Sequence, residues 1–196
     1  MSAPPAPPLV LASTSPQRRA ILLQLGIPFE LAVPGYEERD PPDPEVVSLV
    51  REHAAGKARS VDPGDERPVL GVDTAVHLDG RVFGKPNGPE DAEEMLDALG
   101  GRTHEVVSGL CLRTPAWEAV EHEVTKVSFR ALDARDLASY MAIGEWEGRA
   151  GAYAIQGVGA SLVERIEGDY LNVVGLPAAL LVRLLSERFA GVYGFG

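Results

Sequence analysis

The sequence predicts an α/β fold with a mixed central sheet, and two observations support this. In the first half of the chain, apolar strand-like runs alternate with amphipathic helical stretches, in the order strand, helix, strand, helix, strand. Two longer strand-like segments, near 104–113 and 120–130, then follow each other around a short loop at 115–117. Alternating strands and helices are typical of parallel pairing, whereas consecutive strands pair antiparallel. The two patterns together predict a sheet with both kinds of pairing.

The first predicted strand, 9–13, runs directly into a helix with an unusual placement of charge. Ser15 is a natural N-cap and Pro16 suits the first helical position, so the helix is expected to begin there. A helix N-terminus attracts anions, and it disfavours the positive charges of Arg18 and Arg19. The two arginines therefore predict a phosphate-like ligand at this junction. The alternative is a plain strand–helix junction whose arginines face water.

The remaining elements follow from periodicity and turn residues. Apolar residues spaced by four predict an amphipathic helix over 45–60. A short apolar run predicts a buried strand at 69–72 that ends at Asp73, and Asp79–Gly80 is typical of a two-residue hairpin turn. The other predicted strands cover 28–33, 75–78, 81–83 and 160–167, the other helices cover 16–25, 89–99, 134–143 and 178–189, and two irregular stretches cover 34–44 and 148–159.

Length and composition limit the domain organisation and the partners. The 196 residues suit a single domain over 9–190, preceded by a disordered proline-rich leader at 1–8 and followed by a tail at 191–196. The net charge of −11 argues against general binding to nucleic acid or anionic membranes. A single cysteine, Cys111, and the lack of a signal-peptide pattern or membrane-length apolar run predict a cytoplasmic protein. In so acidic a chain, a phosphate site needs a local basic cluster and a divalent cation.

Several candidate functional residues are weak signals one at a time. Asp73 follows an apolar strand, where open α/β sheets place catalytic carboxylates, but an aspartate there is also a common turn former. Lys85 is an ordinary exposed lysine when considered alone, and Lys57 complements the dipole at the end of its helix. Glu37 lies in a proline-rich loop that is expected to be solvated. The four histidines show no metal-ligand spacing, and none is assigned to a site.

Taken in chain order, nine short motifs resemble those of the Maf family. They run from the first strand to the last helix, and they leave only the leader and the tail uncovered. The motifs are Ser13–Arg19, Gly35–Glu38, Lys57–Ala58, Gly71–Thr74, Gly84–Pro86, Gly101–His104, Ala150–Gly157, Glu164–Tyr170 and Gly175–Pro177.

The resemblance implies both a fold and an activity. The implied fold is an elongated mixed sheet flanked by helices, with two lobes around a cleft, similar to that of inosine triphosphatases. The implied activity is cleavage of a nucleoside triphosphate to the monophosphate and pyrophosphate, with Mg²⁺ or Mn²⁺ as cofactor. Members are also called septum formation inhibitors and often form dimers, so a homodimer is expected. The alternative is a nucleotide-binding regulator of septum formation with little turnover.

Site residues are transferred from the family position by position. Asp73 matches the catalytic proton acceptor, and Lys57 and Lys85 match catalytic cations of the cleft. Ser13 and Arg18 match substrate-binding positions. Glu37 and Asp73 supply the hard oxygen ligands that a divalent cation requires.

Three positions bear on the preferred base. In the family type that prefers dTTP and UTP, the residue between Pro16 and Arg18 is usually arginine, but here it is Gln17. Thr74 and Gln156 match that type, whereas the type that cleaves 7-methyl-GTP tends to carry glutamine and glutamate at those two positions. The resemblance therefore predicts a preference for dTTP or UTP, with weaker discrimination against other bases because Gln17 replaces the usual arginine.

Overall fold

The computed structural model describes residues 6–42 and 44–195. The strands are β1 (Leu9–Ala12), β2 (Phe29–Ala32), β3 (Val69–Leu78), β4 (Arg81–Phe83), β5 (Thr103–Thr114), β6 (Trp117–Phe129) and β7 (Val163–Glu167). The helices are α1 (Pro16–Gln24), α2 (Val46–Arg59), α3 (Pro89–Leu99), α4 (Ala134–Ile143), α5 (Tyr170–Val174) and α6 (Ala178–Phe189). Two short 3₁₀ helices cover Ala150–Ala152 and Val158–Leu162.

One seven-stranded mixed sheet runs through the molecule in the order β2-β1-β3-β5-β6-β7, with β4 paired to β3. Strand β1 is parallel to both β2 and β3, and all other pairs are antiparallel. The predicted α/β class with a mixed sheet is thereby confirmed.

Strand β3 is longer than predicted, and this creates the cleft. It continues through Asp73 to Leu78 because β5 pairs with it without a break from Val69 to His77. On its other edge, β3 pairs with β1 only as far as Gly71 and with β4 only from Val76 onward. Among the described residues, the edge at 73–75 therefore has no neighbouring strand, and the cleft opens there.

Two apolar clusters pack on one face of the sheet, at opposite ends of β3. Leu70 and Val72 belong to the first cluster, which α1 and α6 complete. Val76 and Leu78 belong to the second cluster, which α3 and α4 complete. Since side chains alternate along a strand, Thr74 faces the same side and lies between the clusters. The two lobes meet at this residue, as the predicted two-lobe architecture requires.

The last part of the chain differs from prediction in two places. The predicted strand 160–167 begins only at Val163, and the small residues before it, which pack poorly in a strand, form a 3₁₀ helix at Val158–Leu162. Helix α5 was not expected. It is only five residues long and begins where the Asp169 side chain accepts a hydrogen bond from Leu171 N.

Contacts cross both predicted limits of the 9–190 domain. Tyr193 is buried in the first apolar cluster, and its hydroxyl donates to the carbonyl oxygen of Pro7 at 2.9 Å. Residues 1–5 of the predicted leader and Gly196 of the tail lie outside the described residues. In the part of the chain that the structure describes, no helix combines the length and apolar character needed to cross a bilayer.

Candidate active site

Helix α2 lies unusually close to the sheet because two glycines lie beneath it. A Cβ atom at Gly71 would come within 2.2 Å of the carbonyl oxygen of Ala54, and one at Gly109 within 2.1 Å of that of Val50. Any larger residue at either position would push the helix away. This close approach brings His53 and the residue four positions later, Lys57, over the open edge of β3.

Asp73 is the centre of a buried charged group. Its Oδ1 atom lies 2.6 Å from Lys57 Nζ, and its Oδ2 atom lies 3.5 Å from His53 Nδ1. Burial by itself would raise the pKa of Asp73, but the hydrogen bond from His53 and the charge of Lys57 outweigh it and hold this pKa well below its usual range. The carboxylate is therefore ionised at neutral pH. The same contact with Asp73 raises the pKa of His53.

The segment 35–40, which we call the strap, lies along α2 and adds further carboxylates. Glu38 Oε1 lies 2.6 Å from Lys57 Nζ, and Asp40 Oδ1 lies 3.4 Å from His53 Nε2. Every second residue of the strap thus faces α2, as in an extended chain.

Glu37, the expected metal ligand, lies on the outer side of the strap. Its side chain is 77% exposed and forms an ion pair with Arg39 at 2.6 Å, whereas Glu38 is the glutamate beside Asp73. The alternation of an extended segment explains the difference. Sequence reasoning could not decide between two adjacent glutamates without knowing which side of the strap meets the helix.

Glu38, His53 and Asp73 can offer one donor atom each, and these atoms lie within 4.8 Å of one another. The His53 side chain is only 4% exposed, and its Nε2 atom makes no hydrogen bond within the described chain. Two carboxylates and an imidazole suit a divalent cation such as Mn²⁺ or Mg²⁺. The donor set therefore fits a metal. His53 was not assigned to a site from the sequence, although its spacing of four from Lys57 places both on one face of α2.

Arg18 lies at the base of the cleft and is held on three sides. Its Nε donates to the carbonyl oxygen of Gly175 at 2.8 Å, and its two terminal nitrogens donate to Ser13 Oγ at 3.4 Å and Thr74 Oγ1 at 3.2 Å. The Thr74 hydroxyl also lies 2.9 Å from Ser108 Oγ. Burial lowers the pKa of Arg18, while the charge of Asp73 acts in the opposite direction. The hydroxyl of Thr74, a position that matches the dTTP and UTP type, is thus engaged with the protein.

The N-terminus of α1 has the predicted cap. The Ser15 side chain accepts a hydrogen bond from Arg18 N at 3.5 Å and donates to Gln17 Oε1 at 3.2 Å. The amide nitrogen of Gln17 makes no hydrogen bond within the described residues, and Gln17 lines the cleft. It is thus available to a ligand.

The rim opposite α2 is formed by two loops that are joined by a hydrogen bond from Gly151 N to the carbonyl oxygen of Gly84 at 3.1 Å. Lys85 comes directly after Gly84, and Arg149 comes two positions before Gly151. Both side chains line the cleft. Neither has an ion-pair partner among residues 6–42 and 44–195. Arg149 was missed from the sequence because it stands just before the motif that begins at Ala150.

Gln156 lies on the same rim between two anchors of its loop. Ala154 N donates to the Tyr140 hydroxyl at 3.0 Å, and Val158 N donates to Glu145 Oε1 at 2.9 Å. The Gln156 side chain is exposed and lines the cleft.

The cleft has a volume of about 510 Å³ and brings most of the predicted site residues together. Those that line it are Ser13, Gln17, Arg18, Lys57, Asp73, Thr74, Lys85 and Gln156. The lining residues that were not assigned from the sequence include Tyr36, Glu38, His53 and Arg149.

Comparison with known proteins identifies the family of the chain. The profile of the Maf-like protein family matches residues 8–188. The chain belongs to the Maf family. The sequence of this Maf protein is 43% identical over 197 residues to a dTTP/UTP pyrophosphatase of Deinococcus radiodurans, with both chains covered completely. It is 45% identical over 180 residues to the enzyme of that name from Gloeobacter violaceus, covering 91% of this chain and 95% of the relative.

A third relative extends the pattern. The dTTP/UTP pyrophosphatase of Nitratidesulfovibrio vulgaris is 46% identical to this Maf protein over 188 residues, covering 94% of this chain and 90% of the relative. Among solved structures, the Ham1 protein of Staphylococcus aureus is similar with a TM-score of 0.44 and 13% identity over 63% of this chain and 72% of that one, a likeness too low to support an argument.

Proposed function

We propose that this Maf protein hydrolyses a nucleoside triphosphate to the monophosphate and pyrophosphate in the cytoplasm, with dTTP and UTP favoured. The observation that carries the proposal is the cleft itself. An ionised carboxylate, Asp73, belongs to a candidate metal-binding group on one side, and two cations without an ion-pair partner among the described residues, Lys85 and Arg149, lie on the other. Relatives that are named dTTP/UTP pyrophosphatases align over nearly the whole chain and support the same reaction.

Asp73 is the proposed proton acceptor. A water molecule attacks phosphorus, the bond to the pyrophosphate group breaks, and the water proton passes to the Asp73 carboxylate. In the free protein, Lys57 and His53 hold the pKa of Asp73 low, which makes it a weak base. The negative charge of a bound triphosphate beside Lys57 and Arg18 opposes this effect and raises the basicity of Asp73.

The cations of the cleft divide into two groups with different tasks. Arg18 and Lys57 are fixed by protein contacts and present charge at the base of the cleft. Lys85 and Arg149 carry charge that no described acidic group compensates, so we assign them to the leaving pyrophosphate. Charge cancellation of this kind is the main contribution that a protein makes to phosphoryl transfer.

Glu38, His53 and Asp73 would hold a divalent cation. When bound, such an ion neutralises phosphate charge and lowers the pKa of a coordinated water. Glu37, predicted as a ligand, is on the outer side of the strap in this structure, and we assign its expected role to Glu38.

For the base, we propose recognition by the amides of Gln17 and Gln156. Both line the cleft, and an amide can donate to and accept from the carbonyl and imide edge of thymine or uracil. Thr74 contributes by holding Arg18, which is its hydrogen-bond partner. As the family resemblance implies, we also propose a homodimer, which analytical ultracentrifugation tests.

A nucleotide panel tests the function. The protein is incubated with dTTP, UTP, CTP, GTP and 7-methyl-GTP in the presence of Mg²⁺ or Mn²⁺, and pyrophosphate and orthophosphate are assayed separately. We expect pyrophosphate release, with dTTP or UTP having the highest kcat/KM. A purine nucleotide or 7-methyl-GTP as best substrate contradicts the base assignment, and orthophosphate as product contradicts the proposed reaction. Tight binding without turnover favours the alternative function, a nucleotide-binding regulator of septum formation.

A further inference from the structure

The strap runs along α2 in the direction opposite to the helix. At its start, Gly35 N donates to Ser60 Oγ at 3.1 Å, just beyond the C-terminal end of the helix. Further along, Glu38 meets Lys57 and Asp40 reaches back to His53. The strap therefore follows the helix from its last turn towards its middle.

Between these contacts, the ring of Tyr36 lies directly on the backbone of Gly56. A Cβ atom at Gly56 would lie 2.3 Å from Cε2 of the tyrosine ring, a distance at which one of the two must move. The ring also meets His53 edge to face, with centroids 5.7 Å apart. Glycine in the middle of a helix is intrinsically unfavourable, so close approach of the ring gives this position a physical reason.

The contacts of Glu38 itself are not enough to fix it. Its side chain is 50% exposed, and its ion pair is with Lys57, a lysine that also pairs with Asp73. The nearest packed contact in the strap is the Tyr36 ring, two residues earlier and on the same side of the extended chain. The ring is therefore the packed contact that is best placed to keep the Glu38 carboxylate beside Asp73 and His53.

We propose that Tyr36, seated on Gly56, is a positioning residue that holds Glu38 in the metal-binding group with His53 and Asp73. This inference rests on the proposed function, because it names the device that keeps one of its metal ligands in place. It assigns no contact with substrate to Tyr36. The ring does the positioning, and the tyrosine hydroxyl is dispensable.

Gly56→Ala is the decisive variant, because it removes the seat while favouring the helix. Alanine has a higher helix propensity than glycine, so the melting temperature should stay equal or rise. Binding of Mn²⁺ alone, followed by the electron paramagnetic resonance signal of the free ion, should weaken about tenfold, as is typical when support for a metal ligand is lost. Hydrogen exchange of the peptide covering residues 34–42 should become faster.

Companion variants separate the ring from other effects. Tyr36→Ala should weaken Mn²⁺ binding as Gly56→Ala does, while Tyr36→Phe should bind normally. In the Tyr36→Ala background, Gly56→Ala should have no further effect, because the two changes remove one contact. Arg39→Ala is the control within the strap, since this side chain faces outward.

The outcomes distinguish this inference from the proposed function. Unchanged hydrogen exchange in Gly56→Ala contradicts the claim that packing of Tyr36 on Gly56 holds the strap. Faster exchange with unchanged Mn²⁺ affinity contradicts the claim that this packing positions Glu38. A wild-type protein that neither binds Mn²⁺ nor releases pyrophosphate overturns the proposed function and, with it, the role of Tyr36 towards the metal. Additive losses in the double variant also contradict the inference.

Discussion

The two sides of the cleft differ in how their charges are balanced. On the α2 side, Lys57 contacts both Glu38 and Asp73, and His53 lies between Asp73 and Asp40. On the opposite rim, Lys85 and Arg149 face the same cleft without an acidic partner in the part of the chain that the structure describes.

The groups on the α2 side are therefore organised before a substrate binds, whereas the cations on the rim gain an anionic partner when a substrate binds. On the α2 side, the protein itself fixes the positions and protonation of the groups, at the cost of neutralising their charge. On the rim, no acidic group of the described chain compensates the two cations, and in a protein with a net charge of −11 such a pair specifically attracts an anion. We therefore expect variants on the two sides to fail in different ways.

The largest expected effect is on the α2 side. Asp73→Asn keeps the shape of the side chain but removes the proton acceptor, so kcat for pyrophosphate release should fall by about 10²–10⁴-fold. Nucleotide binding should be largely retained, but the melting temperature should fall, because Lys57 and His53 lose the buried charge that pairs with them. Asp79→Asn is the matched control, because Asp79 is exposed at the hairpin turn with a φ of 50°, which asparagine tolerates. An Asp73→Asn enzyme with more than about a tenth of the normal rate contradicts its role as the base.

The next largest effect is expected for variants of the rim, which should change pyrophosphate inhibition as well as the rate. Lys85→Ala and Arg149→Ala should each lower kcat/KM by about 10–100-fold, the range expected when a charged hydrogen bond is lost. Inhibition by added pyrophosphate should weaken in both variants, whereas inhibition by dTMP should not change. Arg135→Ala, at an exposed position of α4, serves as the control. Normal pyrophosphate inhibition in both variants would assign the two cations to the solvated surface.

Two adjacent glutamates of the strap, Glu37 and Glu38, test which side of this segment contributes to metal binding. Glu38→Gln should weaken Mn²⁺ binding about tenfold, because a ligand charge is removed, while Glu37→Gln should leave it unchanged. Isothermal titration of Mn²⁺ into the two proteins measures the difference directly. The reverse order of affinities would restore the ligand role to Glu37.

The smallest expected effect concerns the base. Gln17→Arg introduces a second charge beside Arg18 and the residue typical of the dTTP and UTP type. The ratio of kcat/KM for dTTP to that for CTP should rise a few-fold, about 1 kcal/mol or less of discrimination. A ratio that stays constant or falls would separate Gln17 from base selection.

Local sequence patterns predicted the elements whose reasons are local. The Ser15 cap with Pro16, the hairpin turn at Asp79–Gly80 and the amphipathic spacing in α2 all recur in the structure with small shifts of their ends. The full length of β3 was not predictable in this way. It depends on pairing with β5, a strand some thirty residues later along the chain.

By itself, the sequence determined the fold class and the family, and it pointed to eight of the residues that line the cleft, because caps, turn residues and motifs are written in consecutive positions. Only the tertiary structure decided that Glu38 rather than Glu37 meets Lys57, that His53 joins Asp73, and that the Thr74 hydroxyl holds Arg18. Each of these contacts joins segments that are distant along the chain. Such contacts depend on how closely α2 approaches the sheet and on which side of an extended strap faces it, and neither is a property of any local stretch of sequence.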